Sequence, residues 1–368
     1  MQNKNYSQEL SSIYKYVNLL RNNSFPLKKY NYKIIKPKIT FIVSVYNKEK
    51  YLKSLILSIQ NQMLKDFELI LVDDSSTDKS IQIIKKFQKI DKRIQLIENK
   101  KNKGTLFTRY RGALFAKGEY LIFIDSDDIV LPKGINNAYN YISQNNIDMI
   151  QFHSVFEYKG KIYINNKNYY SKIIYQPILS YIFYYRNNEG YEYNTALWDK
   201  LINKKIVLKS LKYLGNKYLN EKIIIENDVP ILFSLFINSN SFKYVEELGY
   251  YYVVSNNDSI TNTRYQTDKA EQIMHSIFTN INYFYEKSGN TYLDKYFCIF
   301  KLKQGYERYK MCFKYLNDEI YFIRSIIDKL LHSRFISSKN KLFIYKIKNL
   351  LIYLKKKNMI SIIFKFFQ

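Results

Sequence analysis

The sequence contains little cysteine, and this limits the kinds of site that it can build. Cys298 and Cys312 are the only two in 368 residues, too few for a disulfide framework. No cluster of cysteine and histidine has metal-ligand spacing, and the three histidines are not paired with carboxylates at such spacing. We therefore expect a protein of a reducing compartment, with a cytoplasmic location.

Long hydrophobic runs are also absent. No stretch reaches the roughly 18 uncharged apolar residues of a membrane-spanning helix, and residues 1–25 lack the apolar centre of a signal peptide. The interpretation is a protein that is soluble or bound to a membrane surface.

Acidic residues are outnumbered, with 32 Asp and Glu against 58 Lys and Arg, for a formal net charge of +26. Such a field attracts phosphorylated ligands, nucleic acid or an anionic membrane. A compositional bias toward lysine, asparagine and isoleucine explains the charge equally well. The 38 tyrosines keep a nucleic-acid-binding protein as an alternative, because aromatic rings stack on bases. These residues are scattered and no recognition motif is present, so we expect no nucleic-acid partner.

What is present is a regular alternation of apolar strands and amphipathic helices. Strands are predicted at 38–47, 67–74, 93–99 and 119–125. Apolar residues at helical spacing follow the first two strands, from Leu52 to Met63 and from Ile83 to Ile90, with Ser76 or Thr77 capping the second helix. A third helix is predicted at 106–116. The pattern indicates an α/β fold with a parallel, Rossmann-like sheet covered on both faces.

Polar residues follow the predicted strands, where ligands bind in such sheets. They are Tyr46 and Asn47, Asp73 and Asp74, and then Asp125, Asp127 and Asp128. Neither a dinucleotide-binding glycine motif nor a P-loop is present. Clustered carboxylates suit Mg²⁺ or Mn²⁺, which in turn bind substrate phosphates. We therefore predict a metal that carries a diphosphate, although Asp73 and Asp74 alone are also typical of a helix-capping turn.

Five stretches together carry a family resemblance: "FIVSVYNKEKYL", "ELILVDDSSTD", "NKGTLFTRYRGALFAKGEYLIFIDSDD", "ALWDKLINKKIV" and "IENDVPILF". In this order, from about residue 38 to about 263, the chain resembles the family 2 glycosyltransferases with the GT-A fold. The resemblance implies an inverting enzyme that uses a nucleotide diphosphate sugar, with a mixed sheet flanked by helices.

The resemblance also implies roles for the residues in these stretches. Asp125 and Asp127 match the D-x-D pair, with Asp127 contacting the metal and Asp125 contacting the ribose or the metal. The expected donor-binding residues are Val45, Tyr46, Glu49, Asp73, Asp74, Arg109 and Ser126. Arg109 would face the nucleotide or its phosphates, although the usual alanine-arginine-asparagine triplet here reads Thr108-Arg109-Tyr110.

Asp228 matches the aspartate that serves as catalytic base in such enzymes. The usual glutamate before it is replaced by Asn227, which leaves Glu226 as an alternative base. Trp198 and Lys200 would shape the sugar and acceptor pocket, although a lone tryptophan more often belongs to the core. Asp228 near Pro230 is also typical of a helix N-terminus.

The predicted organisation is an N-terminal extension at 1–36, a nucleotide-sugar half at 37–150, an acceptor half at 151–265 and a helical C-terminal extension at 266–368. The basic helices of this extension, with Lys355 to Lys357, are typical of membrane-surface association, and a helical cap is the alternative. No polysaccharide-synthase signature is present, which favours a single addition.

The function predicted from the sequence is a hexosyl- or N-acetylhexosaminyl-transferase. It would use a UDP-linked donor, Mn²⁺ or Mg²⁺, and a hydroxyl on a glycan, lipid or protein. A metal-dependent nucleotidyltransferase remains the second alternative, because it would use similar carboxylates.

Overall fold

A computed structural model describes residues 6–22, 24–31, 34–158, 161–164, 173–175, 196–220, 223 and 227–253. The chain divides into two compact units, Met1–Asn257 and Asp258–Gln368, and the described residues belong to the first. The predicted C-terminal extension, its membrane-surface role and Glu226 lie outside the described residues. The predicted domain boundaries therefore stay predictions.

The first half of the described chain alternates helix and strand as the hydrophobic pattern predicts. In order, the elements are α1 (Ser7–Arg21), β1 (Ile39–Val45), α2 (Glu49–Gln60), β2 (Phe67–Asp73), α3 (Ser80–Ile90), β3 (Ile94–Glu98), α4 (Thr105–Phe115) and β4 (Tyr120–Asp125). Each predicted strand from 38 to 125 is confirmed to within two residues at either end.

The second half is more irregular. Its elements are β5 (Ile129–Val130), α5 (Gly134–Asn145), β6 (Met149–Tyr158), β7 (Lys161–Ile164), β8 (Ile174–Tyr175), β9 (Lys200–Asn203), α6 (Lys204–Leu214), α7 (Asn216–Leu219), α8 (Asp228–Asn238) and β10 (Ser241–Tyr252). β6 and β7 pair antiparallel.

All these strands belong to one mixed sheet with the order β3-β2-β1-β4-β9-β6-β10-β5. β3, β2, β1 and β4 run parallel, whereas β9 is antiparallel to both β4 and β6. β6 and β10 are again parallel. The α/β class with a mixed sheet flanked by helices is thereby confirmed, and the parallel part is the half that carries the predicted strand-end residues.

Burial explains why these segments form these elements. Every residue of β2 is buried, and so is all of β1 except Ser44, as expected for parallel strands covered on both faces. α4 packs directly on this sheet at Gly112, where an added Cβ would lie 2.5 Å from Ile42 Cγ2. The helix and the two central strands are therefore held at close distance.

Two local predictions were wrong. α2 ends at Gln60, so Met63 lies beyond the helix and is exposed instead of extending its apolar face. Neither Ser76 nor Thr77 caps α3, because this helix begins at Ser80. The Ser80 amide donates to Asp78 Oδ1 at 2.9 Å, whereas the N-cap residue, Lys79, makes no side-chain capping bond.

Among the described residues, no helix combines the length and the apolar character that crossing a bilayer requires.

Candidate active site

Three strand ends meet at one edge of the sheet. In the register of the parallel strands, Val45 at the end of β1 pairs with Asp73 of β2, and Ser44 pairs with Asp125 of β4. Asp73 and Asp125 therefore lie on either side of the end of β1. This confirms that the polar residues at the ends of separate strands lie at one edge of the sheet, where ligands bind in such folds.

The loops after β1 and β2 are tied together by hydrogen bonds. Asn47 and Ser75 have φ angles of 52° and 68°, which non-glycine residues adopt rarely and which concentrate at functional sites. Bonds between the two loops run from Asn47 N to Ser76 Oγ, Thr77 N to Asn47 Oδ1, Lys48 N to Ser80 Oγ, Glu49 N to Asp78 Oδ2 and Lys79 N to Glu49 Oε2. These bonds hold the two loops together as one wall of the site, which we call the backbone wall. Glu49, a predicted donor-binding residue, makes two of the bonds.

Asp73 and Asp74 are both buried, but they differ in what they bind. Asp74 accepts three bonds from the loop before α4, from Asn99 Nδ2 at 2.7 Å, Lys103 N at 2.8 Å and Gly104 N at 2.7 Å. Asp73 Oδ2 accepts from Ser76 N at 2.9 Å, whereas its Oδ1 has no partner among the described residues. A buried acceptor without a partner is costly, so Asp73 is the better placed of the two to accept a bond from a ligand.

Arg109 links two predicted functional carboxylates. Its side chain is 4% exposed, and its Nη2 donates to Asp125 Oδ1 at 2.8 Å. Its Nη1 donates to Asn227 Oδ1 at 2.7 Å and to Asp228 Oδ1. Burial lowers the pKa of Arg109, but Asp228 and Asp125 more than offset this and raise it. In this structure the guanidinium is bound to protein groups, and its predicted contact with the nucleotide stays a prediction.

Asp228 is the first residue of α8, and Asn227 is its N-cap. Its second oxygen, Oδ2, accepts from Leu197 N at 3.0 Å, and its side chain is 19% exposed. Arg109 and Leu197 therefore fix the orientation of a carboxylate that solvent can still reach.

The turn after β4 presents the three carboxylates differently. Asp127 Oδ2 is 2.7 Å from Lys48 Nζ. Asp128 faces inward, where it accepts from Tyr250 Oη at 2.6 Å and Val253 N at 2.8 Å. Burial and repulsion from the neighbouring carboxylates raise the pKa of Asp128. The same causes, partly offset by Arg109, raise the pKa of Asp125 to about 6.

The comparisons with known proteins identify the family of the chain. Residues 40–225 match the family described as Glycosyl transferase family 2. An uncharacterized glycosyltransferase of Methanocaldococcus jannaschii is 31% identical over 248 residues, 66% of this chain and 78% of that protein. The chain belongs to glycosyltransferase family 2. It is therefore a glycosyltransferase.

A second relative and a solved structure are also similar to this family 2 glycosyltransferase. Cholesterol galactosyltransferase of Borreliella burgdorferi is 29% identical over 222 residues, 58% of this chain and 60% of that protein, so this chain spans less than two thirds of it. The structure of S. aureus TarS 1–349 in complex with UDP-GlcNAc aligns with a TM-score of 0.56 and 18% identity over 79% of this chain and 80% of that one. This likeness shows the shared fold.

The two carboxylates predicted to hold a divalent cation are Asp125 and Asp127. Asp125 and Asp127 follow β4 with side chains that are 34% and 18% exposed, and carboxylate oxygens are the ligands that Mg²⁺ and Mn²⁺ prefer. Among the described residues, no group of three or more His, Cys, Asp or Glu side chains is arranged to hold a metal. In this structure Asp125 Oδ1 is bound by Arg109 and Asp127 Oδ2 by Lys48.

The remaining predicted site residues differ in accessibility. Tyr46 is 47% exposed, whereas Val45 and Ser126 are buried. Trp198 is 9% exposed and stacks on Tyr250 and Tyr252, with ring centroids 4.4 and 5.8 Å apart. The core interpretation of Trp198 therefore fits this structure, although its stacking partner Tyr250 also binds Asp128.

Lys200 does not line the crevice in this structure. Its side chain is fully buried, and its Nζ donates to Asp199 Oδ1 and Ala196 O, both at 2.6 Å. Burial lowers the pKa of Lys200, and Asp199 partly offsets this. The ion pair anchors the start of β9, so the predicted substrate contact of Lys200 has no support from this packing.

Sequence reasoning missed three residues that organise the site: Lys48, Asn99 and Tyr250. Lys48 lies inside the first stretch of the family resemblance. Its position beside Asn47, just after the first strand, was the sequence feature that could have marked it as a site residue. Its partner, Asp127, is 79 residues away. Tyr250 lies 122 residues from Asp128, and no local pattern marks it among the many tyrosines.

Proposed function

We propose that this chain is an inverting glycosyltransferase that moves a sugar from a UDP-linked donor to an acceptor hydroxyl. Asp127 and Asp125 would hold Mn²⁺ or Mg²⁺, and Asp228 would be the general base. The acceptor would be a hydroxyl of a glycan, a lipid or a protein. The enzyme would act as a hexosyl- or N-acetylhexosaminyl-transferase and add single sugars.

One observation carries the proposal, the bridge that Arg109 forms between Asp125 and Asp228. Its two terminal nitrogens bind one carboxylate each. Asp125 belongs to the strand end where a donor would bind, and Asp228 begins a helix more than 100 residues later in the chain. A single guanidinium therefore holds a donor-side carboxylate and the candidate base at a fixed separation.

The donor side is supported by the three strand ends and by a structural neighbour. TarS, which shares the fold, has been crystallised with UDP-GlcNAc and with UDP. In this chain Asp73 Oδ1 offers a buried acceptor without a described partner, suited to an N–H or O–H of the base or ribose. Tyr46, exposed at the end of β1, offers a ring against which the base would stack.

The proposed chemistry uses Asp228 as the proton acceptor. A carboxylate has about four lone-pair positions, so the bonds from Arg109 and Leu197 leave room for an acceptor hydroxyl. Asp228 would take the hydroxyl proton as the oxygen attacks the anomeric carbon from the face opposite the leaving diphosphate, and the configuration would invert. A divalent ion held by Asp125 and Asp127 would offset the negative charge that builds on the leaving diphosphate.

The acceptor is the least defined part of the proposal. The fold hosts many specificities, and one relative is named for transfer of galactose to cholesterol. A lipid acceptor therefore belongs in the first panel, together with glycans and peptides.

The test is donor hydrolysis and transfer with a panel of nucleotide sugars and Mn²⁺ or Mg²⁺, on wild type, Asp127→Ala and Asp228→Asn. We expect wild type to release UDP from one donor and Asp127→Ala to lose donor binding. Asp228→Asn should bind the donor and turn over about 10²- to 10⁴-fold more slowly, the usual contribution of a general base. Asp66→Asn is the control, because Asp66 is 53% exposed in a surface pair with Lys38.

Three outcomes would overturn the assignments. Full activity of Asp228→Asn would remove Asp228 as the base. Donor binding by Asp127→Ala at wild-type affinity would remove the D-x-D metal site. A product that retains the anomeric configuration, measured by NMR, would refute inversion.

A further inference from the structure

The ion pair between Lys48 and Asp127 differs from the other contacts of the acidic turn. Asp125 is bound by Arg109, whose side chain is 4% exposed, and Asp128 is 2% exposed with two inward bonds. Lys48 and Asp127 both have side chains that are 18% exposed. Solvent therefore reaches the cation of this pair, whereas the cation that binds Asp125 is buried.

Lys48 can leave Asp127 without any movement of the backbone. Its amide is fixed to Ser80 Oγ at 2.9 Å, and the neighbouring residues Asn47 and Glu49 are tied to the loop after β2. The ammonium stands at the end of a flexible four-carbon chain and behaves as a mobile point charge. The backbone wall thus keeps the Lys48 backbone at the site. Besides Asp127, its ammonium contacts the Tyr51 ring, 5.6 Å from the centroid, and departure from Asp127 requires only rotation of the long side chain.

The ammonium occupies the oxygen that a metal would use. Asp127 Oδ2 is 2.7 Å from Lys48 Nζ, and a divalent ion bound at the same carboxylate would be repelled by a cation at that distance. A nucleoside diphosphate reverses this balance, because its negative charge attracts both the metal and a displaced ammonium. Metal without nucleotide should therefore bind poorly.

We propose that Lys48 is the resident cation of Asp127, which neutralises the carboxylate in the empty site and makes metal binding depend on the nucleotide. The inference rests on the proposed metal role of Asp127. It adds a positioning residue that sets the order of binding, in which metal and donor enter together. Binding coupled in this way is reciprocal, so the metal strengthens nucleotide binding by the same factor as the nucleotide strengthens metal binding.

The test is a titration of the full chain with Mn²⁺ followed by electron paramagnetic resonance, first alone and then with saturating UDP. For Lys48→Met we expect Mn²⁺ alone to bind about three- to tenfold more tightly than to wild type, from loss of the competing pair and of the repulsion. The ratio of the Mn²⁺ Kd without UDP to that with UDP should fall by a similar factor. Lys48→Arg keeps the cation and should retain weak binding of Mn²⁺ alone.

Lys85→Met is the matched control, because it removes a lysine from another carboxylate pair. Lys85 and Glu98 form a surface pair at 3.1 Å with side chains about half exposed, so this variant should titrate like wild type. If Lys48→Met binds Mn²⁺ no more tightly than wild type and Lys85→Met do, the inference is overturned.

Asp127→Asn separates this inference from the proposed function. If Asp127→Asn loses Mn²⁺ binding while Lys48→Met is unchanged, the metal site stands and the role of Lys48 is wrong. If Asp127→Asn binds Mn²⁺ as wild type does, Asp127 is not the metal ligand, and the proposed site and the inference both fall.

Discussion

Replacement of Arg109 by methionine tests the central contact of the site. The change removes the buried cation that binds Asp125 and Asp228 while keeping an unbranched side chain of moderate length. Breaking a buried ion pair from one side costs about 3–5 kcal/mol, because a charge is left unpaired. Asp125 is 34% exposed and Asp228 19% exposed, so water would partly solvate both carboxylates. We therefore expect a loss of about 2–4 kcal/mol in the free energy of unfolding.

The assay is urea denaturation, with Arg111→Met as the control on the same helix. Arg111 donates to Glu98 O and Asn99 Oδ1, which are neutral acceptors, so its loss should cost about 1 kcal/mol. In a double-mutant cycle, Asp228→Asn should cost less in the Arg109→Met background than in wild type. A loss for Arg109→Met within about 0.5 kcal/mol of the control would refute the reasoning.

Three further predictions concern the surroundings of the site. Gly112→Ala should lower the free energy of unfolding by about 1–3 kcal/mol, because the new methyl meets Ile42 Cγ2 at 2.5 Å; an unchanged urea midpoint would contradict this packing. Asp74→Ala should speed hydrogen exchange at the amides of Lys103 and Gly104, which donate to its carboxylate, and unchanged exchange would remove Asp74 as the anchor of that loop. UDP with Mn²⁺ should change the fluorescence of Trp198, the single tryptophan, because its stacking partner Tyr250 binds the acidic turn. Constant emission where calorimetry detects UDP binding would disprove that coupling.

The strands of the first half were predictable because a strand buried on both faces is a nearly continuous run of apolar residues. β2 is apolar almost throughout and buried at every residue, so its limits followed from composition alone. Met63 shows where this logic fails. Its spacing matches the apolar face of α2, but the helix ends at Gln60. The spacing of apolar residues does not show at which residue a helix ends.

The gathering of Asp73 and Asp125 at one edge was also predictable, since the ends of parallel strands meet there. The sequence did not predict which of Asp73 and Asp74 is already bound by protein donors. Both have the same residue type and follow the same strand. Only the loop before α4, folded back onto Asp74, determines which carboxylate is already bound by protein donors.

By itself, the sequence determined the order of strands and helices in the first half, the family and the set of acidic residues at the strand ends, because each depends on local pattern. The tertiary structure decided which charges meet. Arg109 lies 119 residues from Asp228, and Lys48 lies 79 residues from Asp127. Lys200 was turned into the interior against Asp199. Such pairings depend on side-chain direction and burial, which arise only when distant segments pack against one another.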